Sequence, residues 1–521
     1  MKKLPVGIQS FEKIQEEGYL YIDKTRYIWE LIDRGKYYFL SRPRRFGKSL
    51  LISTLRCLFE GRRGLFKGLW IENHWDWDKK YPVVVIDFNV IPANTPEELL
   101  SAISENLREI SESYGIELSS SLLSQKFVEL ILQLREKFQV DVVILVDEYD
   151  KAIISHLGLG EKHLAIAKEN RRVLQEFFGV IKGQEVARIT KFVFFTGVSK
   201  FSKVSIFSEL NNLSDITMNK RYAEITGITQ EELEIYLKEY IEEMASSRKE
   251  TNAFLMAKLK EYYNGYRFSK KEILLYNPFS ILKCLDEQEL NNYWFETGTP
   301  TFLVNLIKEN EYYIPRLEKI ILRDTDFSTY EIESLNLNSL LFQTGYITIK
   351  EVVDKEEGIF SLGYPNLEVK KSFLEVLYRT YTQQQETITF SQIKKSLLSG
   401  KIEETIKIIQ SLYAGISYPL SQRLNEAYFH SLFYLIMSGA GIRAQTEVLT
   451  SQGRIDLVIE LKDKVYIIEF KCEQSSQKAI EQIKEKGYAQ RYLSGEKKIY
   501  LVGINFSLSK RNIEEWKVVE V

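Results

Sequence analysis

Residues 37–59 read YYFLSRPRRFGKSLLISTLRCLF, and this stretch decides the fold of the first part of the chain. Tyr37–Leu40 is a short apolar run of the kind that forms a buried strand in a parallel sheet. It empties into Ser41-Arg42-Pro43-Arg44-Arg45-Phe46-Gly47-Lys48-Ser49, and a segment of helical spacing follows. A loop in that position directs backbone N–H groups at an anion on the helix N-terminus. Its lysine reaches the outer phosphates and its hydroxyl holds magnesium. Gly47, Lys48 and Ser49 fill the last three places of G-x-x-x-x-G-K-[ST], while Arg42 stands where the first glycine is usual. Arg44, Arg45 and Phe46 join them as candidate nucleotide contacts, although the two arginines serve equally as a basic surface.

Such a site needs an acidic strand end. The apolar run Val142–Val146 ends in Asp147-Glu148-Tyr149-Asp150. Asp147 is placed to face magnesium, and Glu148 to polarise the attacking water. The rival, Asp87 after Val83–Ile86, is followed by Phe88 and supplies no base, so Val83–Ile86 is read as the intervening strand. Phe192–Thr196 runs into Gly197, Val198 and Ser199. Thr196 and Ser199 are both placed to sense a γ-phosphate, and Ser199 is kept in the candidate set. Helical patterns at Glu97–Glu112 and Leu122–Phe138 separate these runs. The reading is a doubly wound α/β sheet.

The texture changes at Thr229, where TQEELEIYLKEYIEEM opens a helical region reaching about residue 325. LNSLLFQTGYITIKEV then reads as helix, glycine turn and strand, and IFSLGYPNLEVKKSFLEVLY as a strand entering a helix. Two strands joined by the charged loop Asp354–Gly358 and flanked by helices predict a winged-helix-like module. A third texture begins near Phe390, with helices at Ser391–Leu398, Ile402–Leu412 and Leu424–Met437. Strands are expected at Gln445–Thr450, Ile455–Glu460 and Val465–Phe470, then a helix over Gln477–Tyr492 and a strand over Lys498–Gly503.

Residues 451–471 of that last part read SQGRIDLVIELKDKVYIIEFK. Two strands around a short polar turn predict an antiparallel hairpin. Opposing Glu460 with Val465 places Asp456 opposite Glu469, and alternation puts Lys471 on the face of Glu469. Carboxylates about 5 Å apart repel, by roughly 3 kcal/mol at an effective dielectric of about 20. A divalent cation between them reverses that sign, and Lys471 is placed to hold a water or a phosphate oxygen. This is the chemistry of metal-assisted phosphodiester hydrolysis. Glu447, a further acidic residue, is read as surface.

The 521 residues carry 70 Lys and Arg against 72 Asp and Glu, a net charge of −2, which excludes binding of nucleic acid through bulk positive charge. The three cysteines are too far apart for a disulfide framework, and the four histidines show no metal-ligand spacing. The first residues lack a secretory apolar stretch, and no run approaches a membrane span, so a cytoplasmic protein is expected.

Taken together, Y-x-D-K-T (Tyr21, Asp23, Lys24, Thr25), S-R-P-R-R-F-G-K-S, V-D-E-Y-D at 146–150 and F-T-G-V-S-K-F at 195–201 form a specific set. S-x-F-S-E-L-N-N-L at 205–213, Y-N-G-Y-R-F at 263–268 and Y-N-P-F-S at 276–280 extend it. The set resembles the bacterial AAA-ATPase-like family, whose members usually carry a C-terminal nuclease-like domain of the PD-(D/E)XK type. The resemblance covers most of residues 1–285, and it accommodates Arg42, since the family's loop carries arginines where glycine is general. Asp456, twelve residues and Glu469-x-Lys471 resemble the PD-(D/E)XK core over roughly residues 422–506, with Ile455 in place of the proline. Glu426 matches a further metal ligand of that core, and Gln482 a glutamine found near it.

The resemblance implies a P-loop ATPase core over 1–228, a helical and winged-helix-like region over 229–389, and a nuclease-like α/β domain over 390–521. It implies ATP and Mg2+, with Ser49 and Asp147 holding one ion and Glu426, Asp456 and Glu469 another. Asn211, Asn212 and Arg267 are read either as nucleotide sensors or as capping and turn residues. Two functions follow: an ATP-driven switch coupled to a nuclease acting on DNA or RNA, or a regulatory ATP-binding protein that recognises a partner and keeps the nuclease fold as a scaffold. Oligomeric state stays open, homo-oligomers included.

Overall fold

The computed structural model describes residues 1–200, 213–295, 301–327, 336–382, 387–416 and 425–521. Asn211 and Asn212 lie outside the described residues. The chain forms two units, Met1–Leu306 with Lys319–Val369, and Ile307–Glu318 with Lys370–Val521.

In the first unit the buried runs form a parallel sheet of β1 (Tyr37–Ser41), β2 (Val83–Asp87), β3 (Val142–Asp147), β4 (Thr190–Gly197) and β5 (Ser214–Asp215), in the order β2-β3-β4-β1-β5. The strand between β1 and β3 is therefore β4. Val83–Asp87 intervenes in chain order only and lies at the sheet edge, because crossover connections let a later strand enter between earlier ones. Alternation of side chains splits the apolar runs between two layers. On one face Phe192 and Phe194 pack with Leu55, Leu58 and Phe59 of α1 (Lys48–Phe59). On the other Phe195 meets Phe178 of α2 (Glu161–Gly179), with ring centroids 5.0 Å apart. Both faces are covered, as the continuous apolar runs require.

The helical run expected after Thr229 is two helices, α3 (Gln230–Tyr236) and α4 (Lys238–Ser247). Thr229 and Glu232 form a reciprocal capping box that fixes the start of α3. Further on, β6 (Ile320–Arg323), β7 (Thr348–Asp354) and β8 (Ile359–Gly363) make an antiparallel sheet in the order β6-β8-β7. The helix α5 (Leu337–Thr344) precedes the hairpin and ends at Gly345, whose φ of 90° suits glycine. Helix, hairpin and third strand make the winged-helix arrangement expected from the sequence, with β6 added.

In the second unit β9 (Ala444–Thr450), β10 (Gly453–Glu460), β11 (Lys464–Cys472), β12 (Lys498–Ser507) and β13 (Asn512–Glu520) form a mixed sheet in the order β13-β12-β11-β10-β9. Only β11 and β12 run parallel, joined through the helix α7 (Ser476–Glu485), while α6 (Glu426–Gly439) precedes the sheet. The helix expected to reach Tyr492 stops at Glu485, because Gly487 takes a φ of 58° and Gln490–Tyr492 forms a separate 3₁₀ turn. β13 was not expected: NIEEWKVVE is a half-exposed edge strand rich in charge. Among the described residues no helix is long and apolar enough to cross a membrane.

Candidate nucleotide site and candidate metal centre

The loop after β1 turns through two left-handed residues, Arg45 (φ 66°) and Gly47 (φ 84°), before α1 begins at Lys48. Lys48 is buried, and its ammonium donates to the carbonyls of Arg42 (3.1 Å) and Pro43 (3.2 Å) and pairs with Glu148 at 3.2 Å. The Thr196 hydroxyl donates to the Asp147 carboxylate, and Ser49 lies near enough to that carboxylate to favour its charged form. Burial, reinforced by the neighbouring charge of Glu148, raises the Asp147 carboxyl above its ordinary range. Asp147 and Glu148 therefore differ in partner, Asp147 accepting from Thr196 and Glu148 pairing with Lys48. A cavity of about 870 Å³ opens over Arg44, Arg45, Gly47, Lys48, Ser49 and Glu148.

Four other candidate residues direct their side chains elsewhere. Phe46 is fully buried, with its ring edge-to-face on Tyr266 at 4.7 Å, so only its backbone faces the loop. The Ser199 hydroxyl donates to Asp150 at 2.7 Å, whose carboxylate also accepts from the Ser199 N–H. Of the two strand-end hydroxyls it is therefore that of Thr196 which touches Asp147. Arg42 is buried beneath the loop, donating to Thr217 O (2.7 Å) and Ser41 O (3.0 Å) with its guanidinium 4.4 Å from the Phe268 ring. It braces the loop from behind. Arg267 commits its guanidinium to the carbonyls of Ser269 and Lys270, the turn-bonding alternative.

In the second unit β10 and β11 pair with Glu460 opposite Val465 and Leu457 opposite Ile468, the register expected from the sequence. A tight turn closes the hairpin, with Leu461 N–H donating to Lys464 O at 2.8 Å. The next pair along is Asp456 and Glu469, where the ladder gives way to a side-chain bond: Phe470 N–H donates to the Asp456 carboxylate at 2.8 Å. Glu469 is buried, and its Oε1 accepts from Gln482 of α7 and from Lys471 Nζ at 3.5 Å. Its Oε2 is buried without a partner. Burial first, and then the charge of Asp456, pushes the Glu469 carboxyl well above its usual range. Asp456 is raised by burial and by the charges of Glu447 and Glu426.

Asp456, Glu469, Lys471 and Gln482 are therefore brought together. Glu426 is within electrostatic reach of Asp456. Among the described residues, however, no three His, Cys, Asp or Glu side chains cluster closely enough to hold one ion. The orphaned oxygen of Glu469 and the all-carboxylate donor set fit a hard divalent cation such as Mg2+.

One neighbour escapes the sequence reading, and another is read there as surface. His430, one turn after Glu426 on α6, is buried with an unpartnered Nε2 3.6 Å from the Glu426 carboxylate. Burial, then Lys471 and Arg454, lowers its pKa to about 3, so it is neutral. The four-residue spacing from Glu426 was the available signal. Glu447 is half-buried and not free surface, since it pairs with Arg454 and accepts from the Tyr313 hydroxyl at 2.9 Å. Tyr313 belongs to the 307–318 segment of this unit, which no local pattern assigns there.

The raised Glu469 carboxyl has a measurable consequence. A carboxyl raised in the folded state contributes stability below its free-chain pKa, and that contribution is lost as pH rises through the raised value. In chelator, the full chain is expected to lose stability from about pH 5 to about pH 9 at this site, and Glu469→Gln to lose less, by roughly 1–3 kcal/mol at the alkaline end. Thermal melts across that range check this, and parallel curves for the two proteins would refute it.

Both folds have counterparts among known families. A family model described as "Predicted AAA-ATPase" matches residues 5–207, and one described as "PD-(D/E)XK nuclease superfamily" matches residues 424–516. The chain belongs to the AAA-ATPase-like family with a C-terminal PD-(D/E)XK nuclease-superfamily domain. Over 524 residues it is 36% identical to the "Uncharacterized protein in vnfD 5'region" of Azotobacter chroococcum mcd 1, covering 98% of each chain.

Proposed function

We propose that the protein is a cytoplasmic, ATP-hydrolysing switch coupled to a magnesium-dependent nuclease acting on DNA or RNA. Nucleotide is assigned to residues 1–228, a linking role to 229–389 and cleavage to 390–521. The observation that carries the reading is the convergence of Lys471 and Gln482 on Glu469, beside Asp456.

Bound magnesium would supply Lewis-acid charge at the phosphate oxygens, held by Ser49 and Asp147 in one site and by Asp456 and Glu469, with Glu426 flanking, in the other. On ATP binding Lys48 exchanges its Glu148 partner for phosphate oxygens. Glu148, released, accepts the proton of the water that attacks the γ-phosphorus. Arg44 and Arg45 add charge around the phosphates. In the nuclease centre Gln482 holds Glu469 in place, and Lys471 stabilises the charge that grows on the scissile phosphate.

Glu148→Gln is expected to bind MgATP at least as well as wild type, because Lys48 loses an ionic competitor, while turnover falls about 10²–10⁴-fold. Calorimetry beside phosphate-release kinetics measures both, and unchanged turnover would remove Glu148 from the role of base.

The overall function is tested by incubating the protein with circular, linear and single-stranded DNA and with RNA, in Mg2+ or Mn2+, with and without ATP. Divalent-dependent cleavage that responds to ATP is the expected result. The absence of a three-carboxylate cluster among the described residues favours the second reading, a regulatory ATP-binding protein with a scaffold nuclease fold. No cleavage under any of these conditions would select it.

A further inference from the structure

Residues 307–318 follow Leu306 and precede Lys319, which both belong to the first unit, yet they are part of the second. They are fastened to α6 and its cap. The Ile314 N–H donates to Ser431 Oγ at 3.1 Å, Asn425 Nδ2 donates to Glu311 at 3.3 Å, and the Tyr434 hydroxyl donates to Glu318. The same segment sets Tyr313 beside the candidate metal centre. Its ring lies 6.3 Å from that of His430, and its hydroxyl donates to Glu447 Oε1 at 2.9 Å. Burial, and then the Glu447 charge, raises the Tyr313 pKa above its ordinary value, so the phenol keeps its proton and remains the donor.

Glu447 flanks Asp456 on the side away from Glu469. On β9 it stands between Thr446 and Val448, which pair with Leu457 and Ile455 of β10, so Asp456 is the residue across from it. Opposed residues in a sheet have Cβ atoms about 5 Å apart, and the Glu447 charge acts on Asp456. Glu447, Asp456 and Glu469 therefore occupy one row across β9, β10 and β11. Both Glu447 oxygens are engaged, Oε1 by Tyr313 and Oε2 by Arg454. Two other polar atoms of the centre, Glu469 Oε2 and His430 Nε2, are buried without a partner. Such atoms carry a desolvation cost that a bound ion would relieve.

We propose that Tyr313 is an autoinhibitory latch: it holds Glu447 away from the metal centre, and Glu447 becomes a further ligand of the divalent cation when residues 307–318 withdraw. The inference rests on the metal-centre reading of Asp456 and Glu469, and its test separates the two. It accounts for a row of three carboxylates that is not gathered into one cluster among the described residues. With the latch closed, a cation that recruits Glu447 must first break the bond from Tyr313. With the latch open, Oε2 stays with Arg454 and Oε1 is the oxygen that changes partner. Tyr313 acts through Glu447 and is a positioning residue.

Mn2+ binding to the full chain without nucleotide is followed by paramagnetic resonance for wild type, Tyr313→Phe, Tyr313→Phe combined with Glu447→Gln, Ser431→Ala and Glu469→Ala. The signal lost in Glu469→Ala identifies this centre. Tyr313→Phe removes one hydroxyl and keeps the ring. It is expected to bind Mn2+ about tenfold more tightly, the worth of a hydrogen bond to a charged group that the ion no longer has to break. Adding Glu447→Gln is expected to cancel the gain. Ser431→Ala loosens the segment at Ile314 and is expected to shift the affinity in the same direction. Unchanged or weaker binding in Tyr313→Phe, or a gain that survives Glu447→Gln, would overturn the latch and leave the metal centre standing. Where Tyr313→Phe does not fold, unchanged binding by Ser431→Ala overturns the latch equally. Wild-type binding by Glu469→Ala would instead overturn the metal-centre reading, and the latch with it.

Discussion

Lys48→Ala is expected to lose ATP affinity by about 10²–10³-fold. The ammonium is buried, and its partners are two loop carbonyls and the Glu148 carboxylate. Truncating one member of a buried charge pair costs about 3–5 kcal/mol, and every 1.4 kcal/mol or so is tenfold in affinity. In the nucleotide complex the penalty has two parts. The phosphates lose their nearest point charge, and Glu148 stands close to them without a cation between. Calorimetric titration with MgATP measures the loss, and equal affinity in wild type and variant would sink the assignment of the loop. Melting of the ligand-free variant is the companion measurement, because Glu148 is then left without its ion pair.

Glu469→Ala is expected to remove divalent-dependent cleavage altogether, and Asp456→Ala to do the same. Each supplies half of the only adjacent carboxylate pair that the β10–β11 hairpin brings together in its register. Lys471→Ala is expected to keep metal affinity and lose turnover, because the ammonium sits 3.5 Å from Glu469 without being a ligand. Its charge acts on the transition state. Mn2+ binding followed by paramagnetic resonance separates the variants independently of activity: the two carboxylate variants lose the bound signal and the lysine variant retains it. ATP affinity is expected to stay at the wild-type value in all three, since the residues of the two sites belong to different units. Retained cleavage in Glu469→Ala would end the catalytic reading of this centre.

Both sites were legible in the sequence to the extent that they are local. Gly47, Lys48 and Ser49 are contiguous, and the loop's position between β1 and α1 follows from hydrophobic runs alone. The hairpin register was equally accessible, because a tight turn at 462–463 and strict alternation leave Asp456 and Glu469 one arrangement. What escaped was long-range. Nothing in the local pattern of Arg42 tells that its guanidinium turns inward to Thr217. Thr196 and Ser199 lie three residues apart on one strand end, and only the placement of Asp147 and Asp150 divides their hydroxyls. The 307–318 segment joins the nuclease-like unit through tertiary contacts such as Tyr313 with Glu447. Strand order in the parallel sheet was hidden for the same reason, since crossovers erase chain order.

Gly345 has a consequence beyond ending α5. A Cβ built there would stand 2.7 Å from the ring of Pro43, inside the phosphate loop, in a conformation that already favours glycine. Two turns of chain that bracket different parts of the first unit therefore rest against each other with only the Pro43 ring between them. The same helix also touches the chain just past β4, where Gln343 accepts from Lys200 N–H at 2.8 Å, one residue past Ser199. Close-packed contacts of this kind transmit strain and do not absorb it. α5 is thus held at two places, against the loop after β1 and just past the end of β4, so a shift at either would be felt as a tilt of the rod that leads into the β7–β8 hairpin.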